Sequence, residues 1–155
     1  ANANRDPDPP ARVRIHVDQP SSLPSRIMRY ALATLMVLHG LGHLPGFLIP
    51  WGLVESPEMA ARTVLIESAF GAESVVLKAL GLVWLLLGAA FAVAAYGLAR
   101  SAPWWRPLAL NVGAASLIFC IFYLPDTSVG LLVNALLLAY LVLAEQTSWM
   151  PGVVD

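Results

Sequence analysis

The residues best suited to chemistry in this sequence are two histidines near the end of the first long apolar segment, His39 and His43. They are four residues apart, so a helix places both imidazole rings on one face. This spacing lets a helix present two imidazoles to one metal ion, while a single imidazole can bind haem iron or hydrogen-bond a quinone carbonyl. Because a polar ring inside lipid is costly unless satisfied, the pair predicts a hydrogen-bonded node or a binding site.

Three interpretations of the pair are open. The favoured one is structural: each ring donates to a carbonyl or an asparagine on a neighbouring helix and locks the helices together. A small-molecule site, with a quinone as the example, is the second, and a metal or haem site is the third and least favoured. The zinc signature is absent, because Gly40 and not a glutamate follows His39, and the single cysteine, Cys120, offers no cluster.

Asn134 and Lys78 complete the candidate ligand-binding residues. With Glu73 and Asp126 they lie at the predicted depth of the histidines but on different segments, which allows a shared cavity. An amide at the depth of Asn134 needs a partner on another helix or on a ligand, and a similar interhelical bond is predicted for Asn111. Lys78 lies about one turn inside its segment and can extend toward the headgroups.

No residue is predicted to be catalytic. The sequence has no Gly-x-Ser-x-Gly elbow, no Walker loop and no dinucleotide-binding fingerprint. The serines of the chain also have no identifiable base beside them, so nucleophilic catalysis is not supported. The sequence therefore favours a protein without catalytic activity of its own, and a metal- or haem-binding redox enzyme is the less favoured alternative.

The composition indicates that membrane helices carry these residues. Hydrophobic residues make up 58% of the 155 residues and charged residues 12%, and the mean hydropathy is +0.70. Soluble domains carry roughly 25% charged residues. The formal net charge of −1 gives no basis for binding nucleic acid. The expected partners are the lipid bilayer and other membrane-protein subunits or further copies of the chain.

Four apolar segments predict an all-α protein, an integral membrane four-helix bundle. The predicted spans cover residues 27–48, 75–98, 107–124 and 128–143. Residues 26–146 thus form the predicted transmembrane domain. A flexible, Pro-rich arm (1–25) precedes it, and a C-terminal tail (147–155) follows.

Local signals add detail to this arrangement. Pro45 lacks a backbone donor and crowds the preceding turn, so the first span should kink or end near residues 41–44. Between the first and second spans, a Ser-Pro-Glu start at residues 56–58 predicts a short amphipathic helix on the membrane surface. A stripe of small residues predicts close helix packing in the second span: Gly88, Ala92 and Ala95.

The basic residues predict the orientation. They concentrate before the first span and between the second and third spans. The connections on the other side of the membrane hold few. The two groups are Arg12, Arg14, Arg26, Arg29, Arg100 and Arg106 against Arg62 and Lys78. Because cytoplasmic loops are enriched in Lys and Arg, both termini are predicted to be cytoplasmic. His39 and His43 then lie in the outer half of the first span.

Two runs of residues carry a family resemblance. They are Leu-His-Gly-Leu-Gly-His-Leu at 38–44, which ends the first span, and Gly-Leu-Val-Trp-Leu-Leu-Leu-Gly at 81–88 in the second. With its size and four predicted spans, the chain resembles the DoxX-like family of small four-helix membrane proteins over roughly residues 27–145. The resemblance implies a membrane subunit, in some members associated with sulfur-compound or quinone-linked redox enzymes.

The function predicted from the whole sequence is an integral membrane subunit or small-ligand-binding module, with quinone-linked redox as the proposed setting. The ligand site would involve His39 and His43. The alternative is a purely structural or assembly subunit of a larger membrane complex, in which the helices and the N-terminal arm contact the partners.

Overall fold

The structure, a computed structural model, describes residues 23–55 and 74–146. Within these ranges the chain forms five helices joined by turns, and no strand is present there. The helices are α1 (Leu23–Leu41), α2 (Leu44–Leu48), α3 (Val75–Ala99), α4 (Trp105–Phe122) and α5 (Ser128–Gln146). The predicted all-α class is confirmed for these residues.

Other predictions lie outside the described residues. They concern the amphipathic helix that begins at residues 56–58, the C-terminal tail (147–155) and most of the N-terminal arm. The last residues of the predicted arm are helical, because α1 begins at Leu23 and not at residue 27.

Three candidate spans are long and apolar enough to cross a membrane. They are Arg26–Leu48, which includes most of α1 and all of α2, and the helices α3 and α4. The apolar part of α5, Ser128–Ala144, is shorter. The described helices therefore indicate a membrane protein with three candidate spans by length and composition, where the sequence predicted four.

The first span is divided at the place predicted from Pro45. α1 ends at Leu41, and α2 begins at Leu44 with the proline in its first turn, where a missing N–H leaves no helical bond unmade. The N–H groups of Gly42 and His43 in the intervening turn still donate to carbonyls of α1, each at 3.1 Å. The chain therefore changes direction beside the histidines without losing these bonds.

The helices pack mainly between neighbours in the sequence: α1 and α2 contact α3, α3 contacts α4, and α4 contacts α5. An apolar core joins α1, α3, α4 and α5 and extends to Phe91, whose ring contacts that of His39. Its large members include Leu32, Met36, Phe91, Leu98, Trp105 and Leu141. The two histidines therefore lie at the edge of this core.

Two glycines set the distance between α1 and α3. A Cβ atom added at Gly40 would lie 2.7 Å from the backbone oxygen of Gly88, and one added at Gly88 would lie 2.7 Å from the oxygen of Gly40. In the predicted stripe of small residues, Ala95 is buried but Ala92 is exposed. The prediction that Ala92 lies on the packed face is therefore wrong. The buried positions of α3 include instead Leu77, Gly81, Trp84, Phe91, Ala94 and Leu98.

Arginines connect the helices at the end away from the histidines. The guanidinium of Arg29 in α1 donates to the hydroxyl of Ser101, in the turn between α3 and α4. Arg106 Nη2 in α4 donates to the carbonyl oxygen of Leu141 in α5 at 2.8 Å. These arginines thus lie at one end of the helices and the histidine pair near the other.

Candidate functional site

His39 lies in the last turn of α1, and His43 lies in the turn between α1 and α2. Their rings meet edge to face with centroids 4.9 Å apart. Each ring also contacts an aromatic side chain of α3. The ring centroids of Phe91 and His39 are 4.8 Å apart, and those of Trp84 and His43 are 5.1 Å apart. With 3% of its surface exposed, His43 is buried, and His39 is half-buried.

A closed set of hydrogen bonds connects the two histidines to α4 and α5. His39 Nε2 is 3.0 Å from Asn134 Oδ1, and Asn134 Nδ2 is 2.8 Å from Ser116 Oγ. Ser116 Oγ is 2.8 Å from His43 Nε2, and His43 Nδ1 is 2.9 Å from the carbonyl oxygen of His39. We refer to His39, Asn134, Ser116 and His43 as the polar cycle. Both Asn134 and Ser116 are fully buried.

The backbone carbonyl sets the direction of every bond in the polar cycle. A carbonyl oxygen only accepts, so His43 Nδ1 carries a hydrogen and, in the neutral imidazole, Nε2 accepts from the Ser116 hydroxyl. Ser116 in turn accepts from the Asn134 amide nitrogen, and the amide oxygen accepts from His39 Nε2–H. If the Asn134 amide were reversed, its oxygen would accept the single hydroxyl hydrogen of Ser116, and Ser116 would then have to accept from His43 Nε2. Both nitrogens of His43 would carry a hydrogen, which would make His43 a buried cation.

The polar cycle leaves one lone pair unused. Because His39 Nε2 carries its hydrogen, Nδ1 is an acceptor, and it forms no hydrogen bond within the described residues. Both nitrogens of His43 are occupied. A metal ion held by both rings would therefore need the lone pair of His43 Nε2, which already accepts from the Ser116 hydroxyl. Nor do residues 23–55 and 74–146 contain three His, Cys, Asp or Glu side chains grouped to hold a metal ion.

A cavity of about 620 Å³ adjoins the polar cycle. Small-molecule sites typically enclose roughly 300–1,000 Å³. The side chains around this cavity are mostly apolar, with a few polar groups among them. The lining includes Leu35, Leu38, Ile49, Leu77, Val129 and Val133 among the apolar residues, and His39, His43, Tyr123, Asp126 and Thr127 among the polar ones. The volume and lining suit an apolar molecule with one polar end.

Trp84 forms part of the cavity wall beside His43. A Cβ atom at Gly46 would overlap the indole, so this glycine lets α2 lie against the ring. The buried indole N–H has no hydrogen-bond partner in the part of the chain that the structure describes. The indole also contacts the ring of Tyr123, with ring centroids 5.2 Å apart.

The structure brings three of the four predicted ligand-binding residues together. His39, His43 and Asn134 belong to the polar cycle, and His39 bonds an asparagine of another helix as the structural interpretation predicts. Lys78 is separate: its side chain is exposed, and its backbone carbonyl accepts from Trp51 Nε1 at 3.0 Å. The shared cavity includes Asp126 but not Lys78 among its lining residues.

The interhelical bond predicted for Asn111 is wrong. Its amide nitrogen donates instead to the carbonyl of Pro107 in its own helix, at 2.7 Å, because Asn111 lies on the exposed face of α4. The buried face of α4 carries Ser116 and Cys120, and Asn134 Nδ2 lies 3.7 Å from the Cys120 sulfur. Ser116 is the member of the polar cycle that the sequence did not single out as a site residue. Its four-residue spacing from Cys120 was the available signal.

No protein-family model, curated protein or solved structure matches this chain.

Replacing His43 with leucine is expected to lower the free energy of unfolding by roughly 1 kcal/mol, the typical scale of a hydrogen bond between membrane helices. Leucine occupies a similar space, but the Ser116 hydroxyl loses its acceptor and the His39 carbonyl loses its donor. Thermal unfolding in detergent measures the change. Ser116→Ala breaks the same contact, so the double variant should lose less than the sum of the single losses. Strictly additive losses would contradict the bond.

Proposed function

We propose that this protein is an integral membrane protein whose cavity beside the polar cycle binds a small apolar molecule with one polar end. In this proposal the helices α1, α3, α4 and α5 cross the bilayer as a four-helix bundle, and both termini are cytoplasmic. The observation that carries the binding function is the cavity of about 620 Å³, lined mostly by apolar side chains and by the half-satisfied imidazole of His39.

The properties of α5 support a fourth span. Its apolar part, Ser128–Ala144, is close to the lower limit of the roughly 17–25 residues that cross a bilayer. One face of this helix buries Asn134, Leu137 and Leu141 against the other helices, while residues on other faces, including Leu132, are exposed apolar side chains. A helix with apolar residues around its circumference suits a lipid environment.

The distribution of arginines supports the orientation. Arg29 and Arg106 lie at the end of the helices opposite the histidine pair, together with the exposed Arg26 and Arg100. By the positive-inside tendency this end faces the cytoplasm. An even number of spans then places both termini on that side and the polar cycle in the outer half of the membrane.

The position of the cavity supports entry from the bilayer. α1 makes its main contacts with α3, and α5 makes its main contacts with α4, and residues of both α1 and α5 line the cavity. Residues from both of these helices line the cavity and are also exposed, among them Leu35, Leu38 and Val129. An apolar molecule dissolved in lipid would reach the polar cycle between α1 and α5.

Quinones are the ligand class we propose, since they dissolve in the bilayer and carry oxygen atoms on an apolar body. In this setting the protein is a membrane subunit that works with a redox enzyme or with further copies of itself. This is also what membership of the DoxX-like family, inferred from the sequence resemblance, would imply.

A structural or assembly subunit is the second candidate. The polar cycle favours it, because four side chains from three parts of the fold satisfy one another without a ligand. Such a closed network would lock α1, α4 and α5 together. The two candidates differ in one measurable property, which is whether the cavity takes up a molecule.

A leucine at Gly130 is expected to weaken binding of a short-chain quinone or its quinol at least about tenfold, because the new side chain fills the cavity. Gly130 lines the cavity, and a Cβ there would make only an ordinary contact with Cys120 Sγ at 3.5 Å. Ala139→Leu, on an exposed position of the same helix, is the matched control. Calorimetric titration in lipid nanodiscs measures both. Absence of saturable binding to either probe would instead favour the structural subunit.

A further inference from the structure

We propose that the cavity selects ligands by a hydroxyl hydrogen: the polar end it binds is a phenol-type hydroxyl, as in a quinol, which donates to His39 Nδ1. This inference rests on the proposed binding function and specifies its ligand. A quinone carbonyl or an ether oxygen can only accept, so neither forms this bond. The reduced form of a quinone pair is then the form that the site holds.

The argument follows from the direction of the bonds in the polar cycle. The carbonyl oxygen of His39 requires a hydrogen on His43 Nδ1, and each later bond then has one possible direction. The last bond in this chain is the one from His39 Nε2–H to the Asn134 amide oxygen. His39 therefore presents a lone pair at Nδ1. A ligand oxygen that can only accept would place its own lone pair against this one, and in a site of low polarity the two repel.

Apart from Tyr123, the other polar groups of the cavity lining offer no free donor for a ligand oxygen. The Thr127 hydroxyl already donates to the carbonyl oxygen of Cys120 at 2.6 Å, and both nitrogens of His43 are occupied. The Trp84 N–H is buried and does not open onto the cavity surface. Asp126, when ionised, also only accepts. Acceptors thus outnumber free donors, of which the Tyr123 hydroxyl is the clearest in the described lining.

Three probes of the same shape test the selection: para-hexylphenol, its methyl ether para-hexylanisole, and para-hexylbenzaldehyde. Their dissociation constants are measured in nanodiscs after correction for partitioning into lipid. The phenol is expected to bind about tenfold tighter than the other two. Equal or tighter binding of the ether or the aldehyde would overturn the selection but leave the binding function standing. If none of the three binds, the binding function fails and the selection with it.

Two substitutions at His39 separate its two nitrogens. Glutamine places its amide nitrogen near the position of Nε2, so it keeps a donor for Asn134 but removes the acceptor at Nδ1. Asparagine places its amide oxygen near the position of Nδ1 and keeps that acceptor. His39→Gln is therefore expected to bind the phenol and its ether equally, whereas His39→Asn keeps the phenol preference.

Thermal unfolding of both variants confirms that each is folded before its binding is compared. A full phenol preference in folded His39→Gln would overturn the assignment of Nδ1. Loss of the preference in folded His39→Asn would overturn it as well, because that variant still offers the acceptor.

Discussion

Substituting alanine for Gly40 or Gly88 is expected to cost about 3 kcal/mol of unfolding free energy, the upper part of the usual range for overpacking. In either variant the new Cβ would lie 2.7 Å from the backbone oxygen of the opposite glycine. A backbone atom cannot rotate out of the way, so α1 and α3 must separate. The separation would also draw His43 away from Ser116, because His43 follows Gly40 by one helical turn. Unfolding in detergent, followed by circular dichroism, measures the loss.

Gly130→Ala is the control for these two variants. Its Cβ would make ordinary contact with Cys120 Sγ at 3.5 Å, and alanine favours a helix by about 1 kcal/mol over glycine. This variant should unfold at or above the wild-type temperature. The double variant at Gly40 and Gly88 should lose less than the two single losses combined, since one substitution already separates the helices. A wild-type unfolding temperature for Gly40→Ala would show that α1 and α3 do not meet at this glycine.

Asn134→Leu is expected to cost about 2 kcal/mol, because one substitution removes two bonds of the polar cycle and leaves His39 Nε2–H without an acceptor. Hydrogen bonds between membrane helices contribute roughly 0.6 kcal/mol on average and at most about 1.7 kcal/mol. The expected loss is therefore large for this class of protein. It also weakens the direct connection between α1 and α5 beside the cavity.

The same substitution at Asn111 provides a matched control. Its amide is exposed and bonds only a carbonyl of its own helix, so Asn111→Leu should change the unfolding free energy by less than about 0.5 kcal/mol. Both variants are measured by denaturant titration in mixed micelles. Equal losses at the two positions would contradict the polar cycle as an interhelical connection.

The two predictions concern different parts of one arrangement. The glycine pair lets α1 approach α3 closely enough for His43 to reach Trp84 and Ser116. The polar cycle then joins α1 to α4 and α5 on the other side. The cavity lies beside these contacts, so both predicted losses bear on the shape of the proposed ligand site as well as on stability.

Much of the helical framework was predictable because its signals are local. Long apolar runs indicate helices, and Pro45 divides the first span wherever that span packs, because a proline removes a donor in any environment. The shared face of His39 and His43 follows from their four-residue spacing alone. The need to satisfy a polar ring among apolar residues likewise predicted a partner such as an asparagine.

The pairing of polar residues was harder to predict. Asn111 and Asn134 have the same side chain and both lie in apolar helices, yet one is exposed and bonds its own helix while the other is fully buried. Lys78 and Asp126 were both assigned to the outer half, and only Asp126 lines the cavity. For the two asparagines the rotation of each helix about its axis decides the outcome, whereas Asp126 reaches the cavity from the turn between α4 and α5.

The sequence by itself determined the all-α class, the apolar character of the helices, the break at Pro45 and the histidine pair on one face. The tertiary structure decided which polar groups meet, the direction of their hydrogen bonds, the contact of Gly40 with Gly88 and the presence of the cavity. The physical reason is that a helix suited to lipid is apolar on its outer face as well as its packed face. Its hydropathy pattern therefore does not reveal its rotation, and only the contacts between helices do.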